Sequence, residues 1–248
     1  MTRPFVVVGA GPSGLGAALA LVDRGPVEVV DRIPVAGGSH GWTGREIRDL
    51  VRAGERAGIR FRLGETACRW DRAGRLLLAA PGRISTIDAR HLYFAGGLRP
   101  ATAAELHIAG DRPAGVLPAS VAEHLLQTRV ALWQRPVIVG DGPWSAHLAE
   151  TVRGYGGTPV VLPKPGPEMQ LRVEGRVRVQ VLHVTENGVS RAIPGDAVIL
   201  AADPRPVRNV EGALDEAAPG VTYVQPGGTT PTERADAARE LVRCEGDR

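Results

Sequence analysis

Apolar positions along this chain fall into short blocks with two different spacings. Phe5-Val6-Val7-Val8 is a continuous run of the kind buried on both faces of a parallel sheet. It enters Gly9-Ala10-Gly11-Pro12-Ser13-Gly14 with no spacer, and Leu15, Ala17, Ala18, Leu19, Leu21 and Val22 carry a helix onward. Val27-Glu28-Val29-Val30 is a second strand, with Asp31 at its end. Ile47, Leu50, Val51 and Ala57 stand at helical spacing and predict a helix ending at Gly58, followed by a strand over 59–63. The pattern then changes. Short strands over 66–70, 76–80 and 83–87, parted by Asp71-Arg72-Ala73-Gly74 and Pro81-Gly82, predict an antiparallel meander. His91 to Ala95 returns to the buried type and runs into Gly96-Gly97.

Residues 98–117 are rich in proline and glycine and read as a crossover between domains. The opening pattern then recurs. Val137-Ile138-Val139 enters Gly140-Asp141-Gly142, a helix continues through Ala149 and Val152 to Gly154, and 159–162 forms the next strand. This is an internal repeat. Residues 163–175 read as a loop, 176–184 as a strand or hairpin turning at Glu186-Asn187-Gly188, 197–201 as a buried strand and 221–225 as the last strand. Three segments have the form of a capping box at a helix start: Thr43-Gly44-Arg45-Glu46, Ser120-x-x-Glu123 and Thr230-Pro231-Thr232-Glu233.

The glycines of the first turn have separate tasks. Gly9 allows the tight turn, Gly11 lets a pyrophosphate approach the backbone, and Gly14 lets the helix pack on the strand. A pyrophosphate would lie on the N–H groups at the helix start, formed by Gly11, Pro12, Ser13 and Gly14, where the helix dipole also favours negative charge. Asp31 stands where a carboxylate accepts hydrogen bonds from an adenosine ribose. Strand, glycine turn, helix, strand and acid together predict a dinucleotide site; the plainer alternative is a βαβ unit without a ligand. The adjacent Gly37-Gly38 suggests a second close approach of backbone to ligand.

Composition narrows the picture. The 248 residues are 43% hydrophobic and 23% charged, enough for one large or two ordinary globular domains. A net charge of +3, with both signs mixed along the chain, implies neither a nucleic-acid nor a membrane surface. Strand residues begin within four positions of Met1, and no apolar run reaches membrane-spanning length, so the expected location is cytoplasmic. Cys68 and Cys244 form no C-x-x-C pair, consistent with a reducing compartment. The six histidines make no metal-binding pattern.

Two dinucleotide units, the second inserted into the first with a β meander between, resemble the two-nucleotide-domain flavoprotein reductases. These include thioredoxin-reductase-like proteins and the FAD-binding subunits of amino-acid and opine oxidases. The resemblance rests on Gly9 to Gly14 with Asp31, Gly37-Gly38, Ala95-Gly96-Gly97, the crossover 110–116, Gly140-x-Gly142 and Asp203-Pro204-Arg205-Pro206. It implies an α/β fold of two Rossmann-like FAD/NAD(P)-binding units with a small antiparallel β meander. Residues 1–104 and 205–248 would form the FAD domain, and 105–204 an inserted, truncated NAD(P)-binding-like domain. It further implies that Arg32, Gly38, Ser39, Gly96 and Gly97 join Asp31 and the first turn around FAD. Gly140 and Gly142 would serve NAD(P)H, and His40, beside the flavin ring, would tune the flavin or move a proton.

The chain also departs from that pattern. No late Gly-Asp holds the ribityl chain, since Gln225-Pro226 follows Val221 to Val224. Aligning Gly140 with Gly9 places Pro163 where Asp31 stands, and Ser145 replaces the third glycine. Without a cysteine pair, disulfide reduction is excluded. The expected function is an FAD-dependent oxidoreductase, with NAD(P)H as a second cofactor left open. Its partners would be a small-molecule substrate or a protein subunit of a larger oxidase or dehydrogenase. The alternatives are a non-catalytic member of the fold that needs a partner, or an NAD(P) enzyme using the first unit alone. Oligomeric state stays open.

Overall fold

The computed structural model describes residues 2–38, 44–71, 73–202, 204–207, 219–225, 227–228 and 230–246. In chain order β1 (Phe5–Val8) leads to α1 (Pro12–Leu21), β2 (Val27–Asp31), α2 (Arg45–Arg56) and β3 (Arg60–Leu63). The meander is β4 (Thr66–Trp70), β5 (Arg75–Ala80) and β6 (Arg83–Asp88), and β7 (His91–Phe94) follows. Then come β8 (Leu98–Arg99), β9 (Ala109–Gly110), β10 (Val116–Pro118), α3 (Ala119–Gln127), β11 (Pro136–Val139), α4 (Pro143–Gly154) and β12 (Val160–Leu162). A second meander, β13 (Met169–Glu174), β14 (Val181–Glu186) and β15 (Val189–Pro194), precedes β16 (Ala197–Leu200) and β17 (Arg205–Pro206). β18 (Val221–Tyr223) and α5 (Pro231–Gly246) close the chain. It divides into two units, residues 1–98 with 206–248, and residues 99–205.

The first unit is built on a parallel sheet ordered β18-β7-β1-β2-β3. Strand alternation assigns its two faces. Phe5, Val7, Val27, Val29 and Tyr93 pack with Ala17, Ala18 and Leu21 of α1 and Ala238 and Val242 of α5. Val6, Val30, Leu92 and Phe94 pack instead with Trp70, Leu76, Leu78 and Ile87 of the meander. Such a strand reads as an unbroken apolar run because both of its faces are covered. Helix α1 is buried along nearly its whole length, and its closest neighbour is α5. A Cβ at Gly16 would lie 2.1 Å from the Ala235 carbonyl oxygen, so the two helices meet backbone to backbone.

The second unit repeats the plan. Its parallel sheet is ordered β10-β16-β11-β12. One face, with Ile138 and Ile199, packs on α3 and α4 through Ala122, Leu126, Leu148 and Val152. The other, with Val137, Val139 and Val198, packs on the second meander through Leu171, Val173, Leu182 and Val184.

Several sequence expectations change. Residues 98–117, expected as a crossover between domains, carry β8, β9 and β10, the last an edge strand of the second parallel sheet, and the strand expected over 176–184 begins only at Val181. Residues 169–174 are a strand and not a loop; Leu171 and Val173 point inward while Gln170, Arg172 and Glu174 are exposed, a period-two signal carried by only two buried side chains. Ser120 does not cap α3, which starts at Ala119 with Pro118 at the cap, and Glu123 instead accepts the Trp144 indole N–H at 3.3 Å. At α2 the cap is Gly44, and Glu46 reaches across to α5, accepting the Thr232 N–H and hydroxyl at 3.1 and 2.9 Å. Thr43 lies outside the described residues, and the last capping box forms reciprocally: Glu233 accepts the Thr230 N–H at 3.1 Å, and the Thr230 hydroxyl accepts the Glu233 N–H at 3.2 Å.

Candidate functional site: two glycine turns at the carboxyl ends of parallel strands

In the first unit the turn after β1 is braced from three sides. The Gly9 N–H donates to the Val30 carbonyl at 2.8 Å, tying the turn to the end of β2. Gly9 has φ +110°, and a Cβ there would lie 2.2 Å from the Ala95 carbonyl oxygen, so both conformation and packing demand glycine. A Cβ at Gly14 would lie 1.8 Å from the Gly9 carbonyl oxygen. Gly11 differs. Its backbone is extended, and its Cβ would meet nothing nearer than the Gly38 Cα at 3.8 Å. The protein itself therefore does not require glycine at 11.

Gly11 is the cap of α1, with Pro12 at the first helical position. No side chain caps the helix and no acid stands in its first turn, which leaves the Ser13 and Gly14 N–H groups without an intrahelical partner. Such an end suits an anion.

Asp31 has a role that the sequence reading did not assign. One carboxylate oxygen accepts the Ala10 N–H at 2.7 Å, inside the glycine turn, and the other accepts the Ile33 N–H at 2.8 Å. The acid is thus a brace of the turn, and each oxygen keeps a second acceptor position for a ligand hydroxyl. The loop bearing Gly37 and Gly38 lies against the same turn. Gly37 N–H donates to the Ala10 carbonyl at 2.9 Å, and a Cβ at Gly38 would come within 3.1 Å of the Gly11 Cα. Close approach at Gly38 is therefore first of all to the protein's own turn. Glu65, buried and held by Arg62 and Arg83, sets the neighbouring strand end, its N–H donating to the Asp31 carbonyl at 3.0 Å. Residue chemistry gave no sign of this, because its partners come from three segments.

Arg32 is exposed on the loop after β2. Gly96 fits tightly, its Cβ position 2.6 Å from the Phe94 ring and 2.8 Å from the Val207 carbonyl oxygen, whereas Gly97 faces open space at φ +78°. Ser39 and His40 lie outside the described residues, as do Trp42, Thr43 and Asp203.

The second turn copies the first in part. Gly140 N–H donates to the Leu162 carbonyl at 2.8 Å, as Gly9 does to Val30. A Cβ at Gly140 would lie 2.7 Å from the Ala201 carbonyl carbon, and one at Gly142 would meet nothing within 4 Å. Gly142 caps α4, again with proline first and no side-chain cap. The copy fails in three places. Pro163 follows Leu162 where Asp31 follows Val30, so no carboxylate braces or extends this turn. Ser145 is 1% exposed and donates its hydroxyl to the Gly142 carbonyl at 2.7 Å. Asp141, exposed, brings a carboxylate to the turn itself where the first unit has Ala10.

Among the described residues there is no cluster that would hold a metal ion, and no helix is long and apolar enough to cross a membrane. Cys68 and Cys244 are free thiols.

No family model and no curated protein matches the chain. Solved structures do. L-proline dehydrogenase from P. horikoshii aligns at a TM-score of 0.74 and 18% identity over 99% of this chain and 56% of that one. An FAD-dependent pyridine nucleotide-disulphide oxidoreductase from Desulfovibrio vulgaris aligns at 0.64 and 18%, over 99% and 71%. A water-forming NADH oxidase from Lactobacillus brevis aligns at 0.66 and 13%, over 98% and 69%. The fold is therefore the Rossmann-like, two-unit α/β fold of the FAD- and NAD-dependent oxidoreductases. This chain spans little more than half of the length of the proline dehydrogenase chain.

Proposed function

We propose that the first unit binds FAD and that the chain is an FAD-dependent oxidoreductase, working as one subunit of a larger oxidase or dehydrogenase. The observation that carries this reading is the uncapped start of α1 at Gly11, where the protein leaves room that a side chain would fill and nothing in the fold requires glycine. Ser13 and Gly14 would present their N–H groups to the pyrophosphate, and Asp31 its remaining acceptor positions to the adenosine ribose. Bound FAD would supply the electron transfer. The pyrophosphate would lie on the uncapped start of α1.

Purified protein should be yellow and release FAD on denaturation. Colourless protein that takes up no added FAD would end this reading. NAD(P)H would lie at Gly140 and Gly142, where Asp141 repels a pyrophosphate and Pro163 offers the ribose no acceptor. Those two residues favour a second reading: a non-catalytic structural or interaction subunit whose partner does the chemistry. Anaerobic addition of NADH or NADPH separates the two, since bleaching of the flavin absorbance by the chain alone would discard the second.

A further inference from the structure

The parallel strands of the first unit carry the glycine turn at their carboxyl ends; a second concave feature lies at their amino ends. Phe5 opens β1, His91 opens β7, and Thr222 stands on β18 beside them. With Tyr93 they floor a cleft of about 460 Å³, and Arg24, Arg90 and Glu245 form its walls. An adjoining hollow of about 440 Å³ shares Arg24 and Arg90 and adds Arg3.

The two shared arginines are held in an uncommon way. Their guanidinium carbons lie 5.2 and 5.1 Å from the centre of the Phe5 ring, within reach of cation–π attraction. Among the described residues neither has a carboxylate within ion-pair distance; Glu245 is the one acid lining the cleft. Two cations therefore share one aromatic ring and line one cleft, where an anion would offset their charge. Tyr93 is 2% exposed, and the Arg24 guanidinium donates to the Val242 carbonyl at 3.4 Å. His91 Nε2 lies 2.9 Å from the Thr222 hydroxyl, and its ring packs 4.8 Å from that of Tyr93. Burial pushes the His91 imidazole down, against an upward pull from Glu245, and pushes the Tyr93 phenol up, so both are neutral hydrogen-bonding groups near pH 7.

We infer that this cleft is a binding site for a small phosphate monoester, held by Arg24 and Arg90 with Tyr93, His91 and Thr222 as hydrogen-bonding partners. A guanidinium fork matches phosphate oxygens in pairs, and two such forks suit a dianion better than a monocarboxylate. The cleft exceeds a bare phosphate ion and falls in the size range of small-ligand pockets, which leaves room for the organic part. Its place at the amino ends of the strands makes it independent of any dinucleotide on α1.

The test follows the His91 ring proton resonance, assigned with His91→Gln, while inorganic phosphate or glycerol 3-phosphate is added at ionic strength matched with chloride. The expected result is a saturable shift with both probes and a rise in the His91 titration midpoint on binding. Arg24→Gln and Arg90→Gln should each weaken binding by about tenfold, and Glu245→Gln should strengthen it severalfold. Arg90 is exposed, so its variant keeps the fold, to be checked by an unchanged melting temperature. A His91 resonance that ignores both probes overturns the inference, as does a response undiminished in both arginine variants. A response to inorganic phosphate alone would reduce the cleft to an adventitious ion site and overturn it as well.

Discussion

Gly11 and Gly14 stand three residues apart in one motif, yet they answer to different constraints. Gly14→Ala would drive a Cβ into the Gly9 carbonyl oxygen and should cost about 3 kcal/mol or more of folding stability. Gly11→Ala meets only ordinary contact at 3.8 Å, so its melting temperature should stay near that of the parent. FAD affinity should nevertheless fall by about tenfold, or about 1.4 kcal/mol, read by flavin fluorescence titration. Equal affinity in Gly11→Ala would count against the pyrophosphate lying there. Asp31→Ala should lower stability by about 1–3 kcal/mol even without FAD, because it strips the acceptor from two backbone N–H groups. A role confined to ribose binding would leave the apoprotein unchanged. His91 gives a pH signature. Its folded-state pKa lies below the ordinary value, so the unfolded chain takes the proton more readily. Stability should therefore fall as pH drops from about 7 to 5, and His91→Gln should flatten part of that slope in urea unfolding at the two pH values.

Helix α1 shows how far pattern reading reaches for an element. Its strand-turn-helix context was legible, because a buried β-branched run and three spaced glycines leave few other structures. Its burial on every side was not, since α5 comes from the far end of the chain. Gly16→Ala is the measure of that contact: with the Ala235 backbone 2.1 Å from the new Cβ, it should cost about 1–3 kcal/mol in chemical denaturation, although alanine is the better helix former. The capping boxes teach a related lesson. Thr230 and Glu233 satisfy each other, whereas Glu46 and Glu123 find partners outside their own helices. A four-residue spacing announces that a carboxylate can fold back, and tertiary neighbours decide whether it does.

Across the whole molecule the repeat is the main fact: two parallel sheets, each covered by helices on one face and a meander on the other, three-stranded in the first unit and extended by β9 in the second. Matching apolar runs made most strands of both sheets readable; β10, three residues inside the expected crossover, escaped, as did β13 of the second meander, whose alternation holds only two buried side chains. If the second turn keeps residual nucleotide affinity, Asp141→Ala should raise NAD(P)H binding severalfold by removing the charge beside the phosphates, measured by calorimetry; no change would assign that turn to packing alone. The sequence by itself determined the two strand-glycine-helix units and the acid at the end of β2, because these depend on contacts within a few tens of residues. The tertiary structure decided that Asp31 braces the turn, that Gly38 rests on Gly11, and that arginines from separate segments share the Phe5 ring. Those depend on which distant segments the folded sheet brings side by side, and no local spacing encodes them.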